Sequence, residues 1–82
     1  MSQIVEPRID QAVLAYLSTA NGRWRKVAMV FGRVSEALGA EFPEGEAGHE
    51  LFDRHLAALV GAGRLQAQGD ITRWRFSEVR LP

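Results

Sequence analysis

Apolar positions repeat at the spacing of an α-helix through most of this chain and change to the alternation of a β-strand near its end. The first predicted helix begins near Pro7, because proline suits a first helical turn, where its missing N–H has no partner. Asn21-Gly22 lies beyond the end of this helix, since such a pair readily adopts positive φ. The predicted buried stripe is Ile9, Val13, Tyr16 and Leu17.

Two more helices are predicted before the period changes. The second covers about residues 25–38, with Gly39 as its C-terminal cap, and a loop over residues 40–48 separates it from the third, at about residues 49–62. The predicted stripes are Val27, Val30, Phe31, Val34 and Leu38, then Phe52, Leu56, Leu59 and Val60. The residues of the third helix expected to face water are Glu50, Asp53, Arg54 and Ala57.

Residues 65–76 alternate with a period of two and predict a β-hairpin around Gly69-Asp70. In this hairpin Trp74 and Phe76 share one face and should pack on the helices, while Arg73 and Arg75 should face water. Trp24 is expected in a very short third strand before the second helix. Trp24, Trp74 and Phe76 are therefore predicted to belong to the core.

Length and composition indicate one small globular domain over residues 1–82. Hydrophobic residues make up 46% of the chain, which is enough apolar surface to offset the entropy of folding. The absence of cysteine excludes a disulfide framework and favours a cytoplasmic location. The N-terminus does not match a signal peptide, and the longest apolar stretch, residues 27–31, is too short to span a bilayer, so no membrane association is expected.

Helix, short strand, helix, helix and hairpin is the order of elements in a winged helix-turn-helix domain. The predicted fold class is therefore α+β, winged helix-like, with three helices followed by a C-terminal β-hairpin. The stretch Leu56-Ala57-Ala58-Leu59-Val60-Gly61-Ala62-Gly63-Arg64-Leu65 resembles the usual end of the third helix where it enters the wing.

A narrower resemblance is carried by Trp24-Arg25-Lys26-Val27-Ala28-Met29-Val30-Phe31-Gly32, by Gly63-Arg64-Leu65-Gln66-Ala67-Gln68-Gly69-Asp70 and by Arg75-Phe76-Ser77-Glu78-Val79-Arg80-Leu81. Over roughly residues 10–81 the chain resembles an uncharacterised bacterial domain family, whose domain often follows another domain of unknown function. The resemblance implies a helical domain with a C-terminal hairpin and no assigned catalytic residue.

No residue pattern supports enzymatic chemistry, so no catalytic residue, metal ligand or cofactor is assigned. His49 and His55 lie about 240° apart around a helix, so they do not share a face. His49 and Asp53 do share a face, but no third and fourth metal ligand can be named for them. The acids of residues 41–53 do not follow the spacing of a calcium loop. Gly61-Ala62-Gly63 follows a helix, whereas a phosphate-binding loop precedes one.

Charge is separated along the chain although the formal net charge is zero. Residues 21–33 are basic, residues 41–53 are acidic, and residues 64–80 are again mostly basic. Such opposite blocks favour binding to another protein or to a second copy of the chain, with the basic hairpin of one copy meeting the acidic loop of the other. The expected partner-binding residues are Arg23, Arg25, Arg73 and Arg75.

Residues 77–81 alternate apolar and polar side chains and have two interpretations. They either extend the hairpin as an edge strand that pairs with a partner, or pack on their own domain.

A small DNA-binding regulator is the alternative hypothesis, with the third helix in the major groove and the hairpin on the phosphates. Its contacts would be Arg54, Arg64, Arg73 and Arg75. Glu50 and Asp53 would then face phosphates, and the loop of about nine residues exceeds the three or four usual in a helix-turn-helix. Nucleic acid is therefore the less favoured partner.

Overall fold

The computed structural model describes residues 5–82, so the first four residues of the predicted domain lie outside it. Three helices and a three-stranded antiparallel sheet form an α+β fold, and the predicted winged helix-like order is confirmed. The elements are α1 Val5–Ser18, β1 Arg25–Lys26, α2 Val27–Leu38, α3 Gly45–Gly61, β2 Gln66–Gln68 and β3 Glu78–Arg80. No helix in this described part is long and apolar enough to cross a membrane.

The third helix begins at Gly45 rather than near His49, which shortens the predicted nine-residue loop to residues 39–44. Part of that loop, Gly39–Glu41, is a 3-10 turn. Apolar periodicity cannot reveal the start of α3, because the buried residue there is Gly48, which has no apolar side chain. A Cβ on Gly48 would overlap the carbonyl oxygen of Pro43, so the loop folds directly onto the helix backbone.

The returning strand of the hairpin lies later in the chain than predicted. Residues Trp74–Phe76 form a 3-10 turn, and β3 follows at Glu78–Arg80. Strand β3 is central in the order β1-β3-β2, so residues 77–81 are not the free edge strand that was one of the two interpretations. The predicted short strand exists at Arg25–Lys26, and Trp24 lies just before it, half-buried.

The core lies between the three helices and the inner face of the sheet. The predicted helical stripes are confirmed, although Tyr16, Phe31 and Val60 are only partly buried, at the margin of the core. Leu65 and Val79 add the contribution of the sheet. Buried core residues from the helices are Ile9, Val13, Leu17, Val27, Val30, Val34, Leu38, Phe52, Leu56 and Leu59.

Candidate functional site

The wing, defined here as residues 69–77 between β2 and β3, folds back against the helices through Trp74. Its ring centroid lies 4.7 Å from that of Phe31, 4.8 Å from His49 and 5.4 Å from Phe52. The indole Nε1–H donates to the carboxylate of Asp53 at 2.6 Å. The prediction that Trp74 packs on the helices is confirmed. The prediction that Asp53 faces water is wrong, because Asp53 is half-buried beneath the indole.

Phe76 does not reach the core, and its prediction as a core residue is wrong. It is 73% exposed, with the Arg73 guanidinium carbon 5.6 Å from its ring centroid. Two residues along a strand bring side chains to the same face, but two residues along a 3-10 helix rotate them by about 240°. Once Trp74 packs inward in the 3-10 turn, Phe76 must therefore point away from the helices.

The tip of the wing is shaped by Asp70. Its carboxylate accepts hydrogen bonds from the Thr72 backbone N–H at 2.9 Å and from the Thr72 hydroxyl at 2.6 Å. These bonds stabilise the charged form and hold the pKa of Asp70 below its ordinary value of 3.8, and the charge of Arg73 adds to the effect. Next to it, Gly69 has φ of 78° and lies so close to Phe76 that a Cβ would come within 2.5 Å of its carbonyl oxygen.

Replacing Thr72 with valine is expected to raise the pKa of Asp70 towards 3.8, because the hydroxyl bond is the largest cause of its depression. A depressed folded pKa means that this turn contributes stability above pH 3.8 and loses it as the pH falls through the folded value. A carboxyl-detected NMR titration of both proteins measures the shift. An unchanged Asp70 pKa in the variant would contradict the role of the hydroxyl.

The structure brings only part of the predicted arginine set together. Arg73 and Arg75 lie in the wing, beside β1, where the Lys26 ammonium donates to the Arg75 carbonyl at 3.5 Å. Arg25 faces the same side of the sheet as its partner Val79 and is half-buried, whereas Arg23 is exposed in the preceding turn. The basic surface of the wing is therefore built by Lys26, Arg73 and Arg75.

Among the side chains of residues 7–82, these basic groups form no ion pair with a carboxylate, although the charge of Arg73 acts on Asp70. Over that same range of residues 7–82, the arginines that form ion pairs are Arg8 with Glu41 and Arg33 with Glu36. Unpaired charges on a surface are free to meet the charges of a partner.

The outer face of the sheet holds another arginine in place. The Arg80 guanidinium lies 4.4 Å from the Trp24 ring centroid, and its Nε donates to Gln66 Oε1 at 2.7 Å. Trp24 therefore packs beneath Arg80 on this face, and the prediction of Trp24 as a core residue holds only in part, because it is half-buried.

An open groove of about 270 Å³ lies where the end of α2 meets the start of α3. Phe31 lines the groove, and its ring centroid lies 5.7 Å from that of Phe42 and 4.8 Å from that of His49. The groove falls below the ~300–1,000 Å³ of typical small-molecule sites, and its size suits a single inserted side chain. Its lining residues are Phe31, Ser35, Gly39, Phe42, Pro43, Glu44, Gly45 and His49.

The sequence does not predict the groove, because Phe42, Pro43 and Glu44 fall in the loop predicted over residues 40–48. The available signal is Phe42, the aromatic residue of this predicted loop, and it is buried. His49 is an aromatic wall of the groove, and the described residues contain no cluster of three His, Asp or Glu side chains that could hold a metal ion.

Comparison with protein-family models, with curated proteins and with solved structures finds no match to this chain. The resemblance to an uncharacterised bacterial domain family thus stays a prediction. The candidate site is defined by its geometry: a basic wing with an exposed phenylalanine, next to an aromatic groove lined on one side by the acidic Glu44.

Proposed function

We propose that this domain is a non-enzymatic, cytoplasmic protein-binding module that uses the wing as its contact surface. The observation that carries the proposal is Phe76, 73% exposed and flanked by the arginines of the wing. Aromatic and arginine side chains contribute most of the energy at protein interfaces, because they combine large apolar area with directed hydrogen bonds. Arg73, Arg75 and Phe76 are the central contacts, and the exposed Arg23 and the half-buried Arg25 are secondary ones.

DNA binding is the second candidate, through Arg54, Arg64, Arg73 and Arg75, and the structure gives it less support. The exposed side of α3 begins with Glu46 and Glu50, which would face phosphates in the major groove. Arg54 and Arg64 are exposed, but they lie beyond these acids along the chain.

Photo-cross-linking from the wing tests the proposed function. The photoreactive residue p-benzoylphenylalanine replaces Phe76 in one protein and the exposed Ala15 of α1 in a matched control. We expect protein adducts from position 76, reduced when Arg73 and Arg75 are also changed to glutamate, and few from position 15. Nucleic-acid adducts alone, or equal protein yields from both positions, would contradict the proposal.

A titration of a labelled mixed-sequence duplex separates the two candidates. At about 50 mM salt we expect weak DNA binding by the folded protein, because the acids of α3 oppose phosphate contact. Tight binding that weakens steeply between about 50 and 200 mM salt would favour the DNA-binding candidate instead. Fluorescence anisotropy measures both conditions.

A further inference from the structure

We propose that the partner of the wing is a second copy of this chain, in a two-fold dimer that inserts Phe76 of each copy into the aromatic groove of the other. This inference rests on the proposed function, since it uses the same wing surface. It assigns the groove an occupant and gives the chain a defined self-association.

The turn that carries Phe76 packs against the groove through Trp74. Phe31 and His49 line the groove, and both rings contact Trp74, which precedes Phe76 by two residues in the same 3-10 turn. A two-fold interface must use one self-complementary patch, because the same surface contributes from both copies. An axis passing between the groove and the wing would let each Phe76 face the other copy's groove.

The groove matches a phenylalanine ring in size and chemistry. Its aromatic walls, Phe31, Phe42 and His49, offer edge-to-face contacts to an entering ring. An aromatic side chain buries ~150–250 Å², and the groove of about 270 Å³ is smaller than a typical ligand site but large enough to admit one ring.

The charges around the groove and the wing are complementary. Glu44 stands on the groove rim, and Glu46 and Glu50 are exposed on the first turns of α3, all without an ion-pair partner among residues 5–82. The wing carries Arg73 and Arg75, which form no ion pair among the side chains of residues 7–82. The two-fold arrangement would set the arginines of each copy against the glutamates of the other, twice in one dimer.

Sedimentation velocity of the purified full chain tests the dimer between about 1 and about 500 μM. We expect a monomer–dimer equilibrium at low salt that shifts towards monomer at high salt, because exposed ion pairs are screened. Phe76→Ser should raise the dissociation constant at least about tenfold. Met29→Ser is the matched control, since Met29 is 51% exposed but takes no part in the proposed contact.

Charge exchange tests the pairing directly. Arg73→Glu/Arg75→Glu and Glu46→Lys/Glu50→Lys should each weaken the dimer at least about tenfold. An equimolar mixture of the two variants should regain a dimer, because each acidic wing then meets a lysine-bearing helix and each basic wing meets an acidic one. Circular dichroism confirms that every variant is folded.

Arg54→Glu/Arg64→Glu is the control for net charge, because it changes charge equally and leaves the wing intact. This variant should still form a homodimer. Mixed with Glu46→Lys/Glu50→Lys, it should form less heterodimer than Arg73→Glu/Arg75→Glu does. A dimer that is insensitive to Phe76→Ser, or equal rescue by both mixtures, would overturn the proposed interface. Monomer at every concentration would overturn self-association, while protein adducts from position 76 would still uphold the proposed function with another partner.

Discussion

Replacing Trp74 with alanine is expected to lower the free energy of unfolding by about 3 kcal/mol. The substitution removes a ring that packs on Phe31, His49 and Phe52, and it takes away the indole N–H donated to Asp53. The half-buried Asp53 carboxylate would lose a hydrogen bond that offsets its desolvation. Urea unfolding followed by far-ultraviolet circular dichroism measures the loss.

Two variants in the same 3-10 turn separate the causes. Trp74→Phe keeps an aromatic ring but no donor, so it should cost about 1.5 kcal/mol, in the range of a hydrogen bond to a charged group. Phe76→Ala removes an exposed ring and should change stability by no more than about 0.5 kcal/mol. If Trp74→Ala cost no more than Phe76→Ala, Trp74 would not be the anchor of the wing.

Replacing Gly48 with alanine is expected to lower the free energy of unfolding by about 2 kcal/mol. The new methyl group would overlap the Pro43 carbonyl oxygen and come within 2.8 Å of the Phe42 ring, so the loop that forms the groove would have to move. Alanine is favoured over glycine in a helix by about 1 kcal/mol, but contact with backbone cannot be relieved by a side-chain rotation. The same urea titration applies.

Gly32→Ala is the matched control for this effect. Gly32 lies inside α2, and a Cβ there meets no atom within 4 Å. Helix propensity alone should then raise the free energy of unfolding by about 0.5–1 kcal/mol. Opposite signs for the two glycine substitutions would support the close contact of the loop with α3, and stabilisation by both would contradict it.

The sequence by itself determined the helical part of the fold and the order of elements. Stripes such as Val27, Val30 and Val34 are buried because a helix brings every third or fourth residue to one side. The glycine cap of the second helix was also predictable: Gly39 has a φ of 58°, a backbone conformation that most side chains resist. The charged blocks were visible as well, since charge is a property of composition.

The tertiary structure alone decided where β3 begins and which aromatic side chain is buried. Apolar residues stand at positions 74 and 76 and then at 79 and 81, so the alternation changes phase at Ser77-Glu78 and offers two possible strands. The pairing of β3 between β1 and β2 decides for the second. The 3-10 turn that precedes β3 then buries Trp74 partly and exposes Phe76.

The groove likewise depends on contacts that no local pattern encodes. It forms because Gly48 allows residues 42 and 43 to approach the backbone of α3, and a glycine contributes nothing to apolar periodicity. Periodicity reports which side of an element is buried, whereas a surface shared by a loop, a helix and a wing is set by which distant residues meet. For this reason the sequence indicated binding by the wing arginines, and only the packed chain placed Phe76 and the groove beside them.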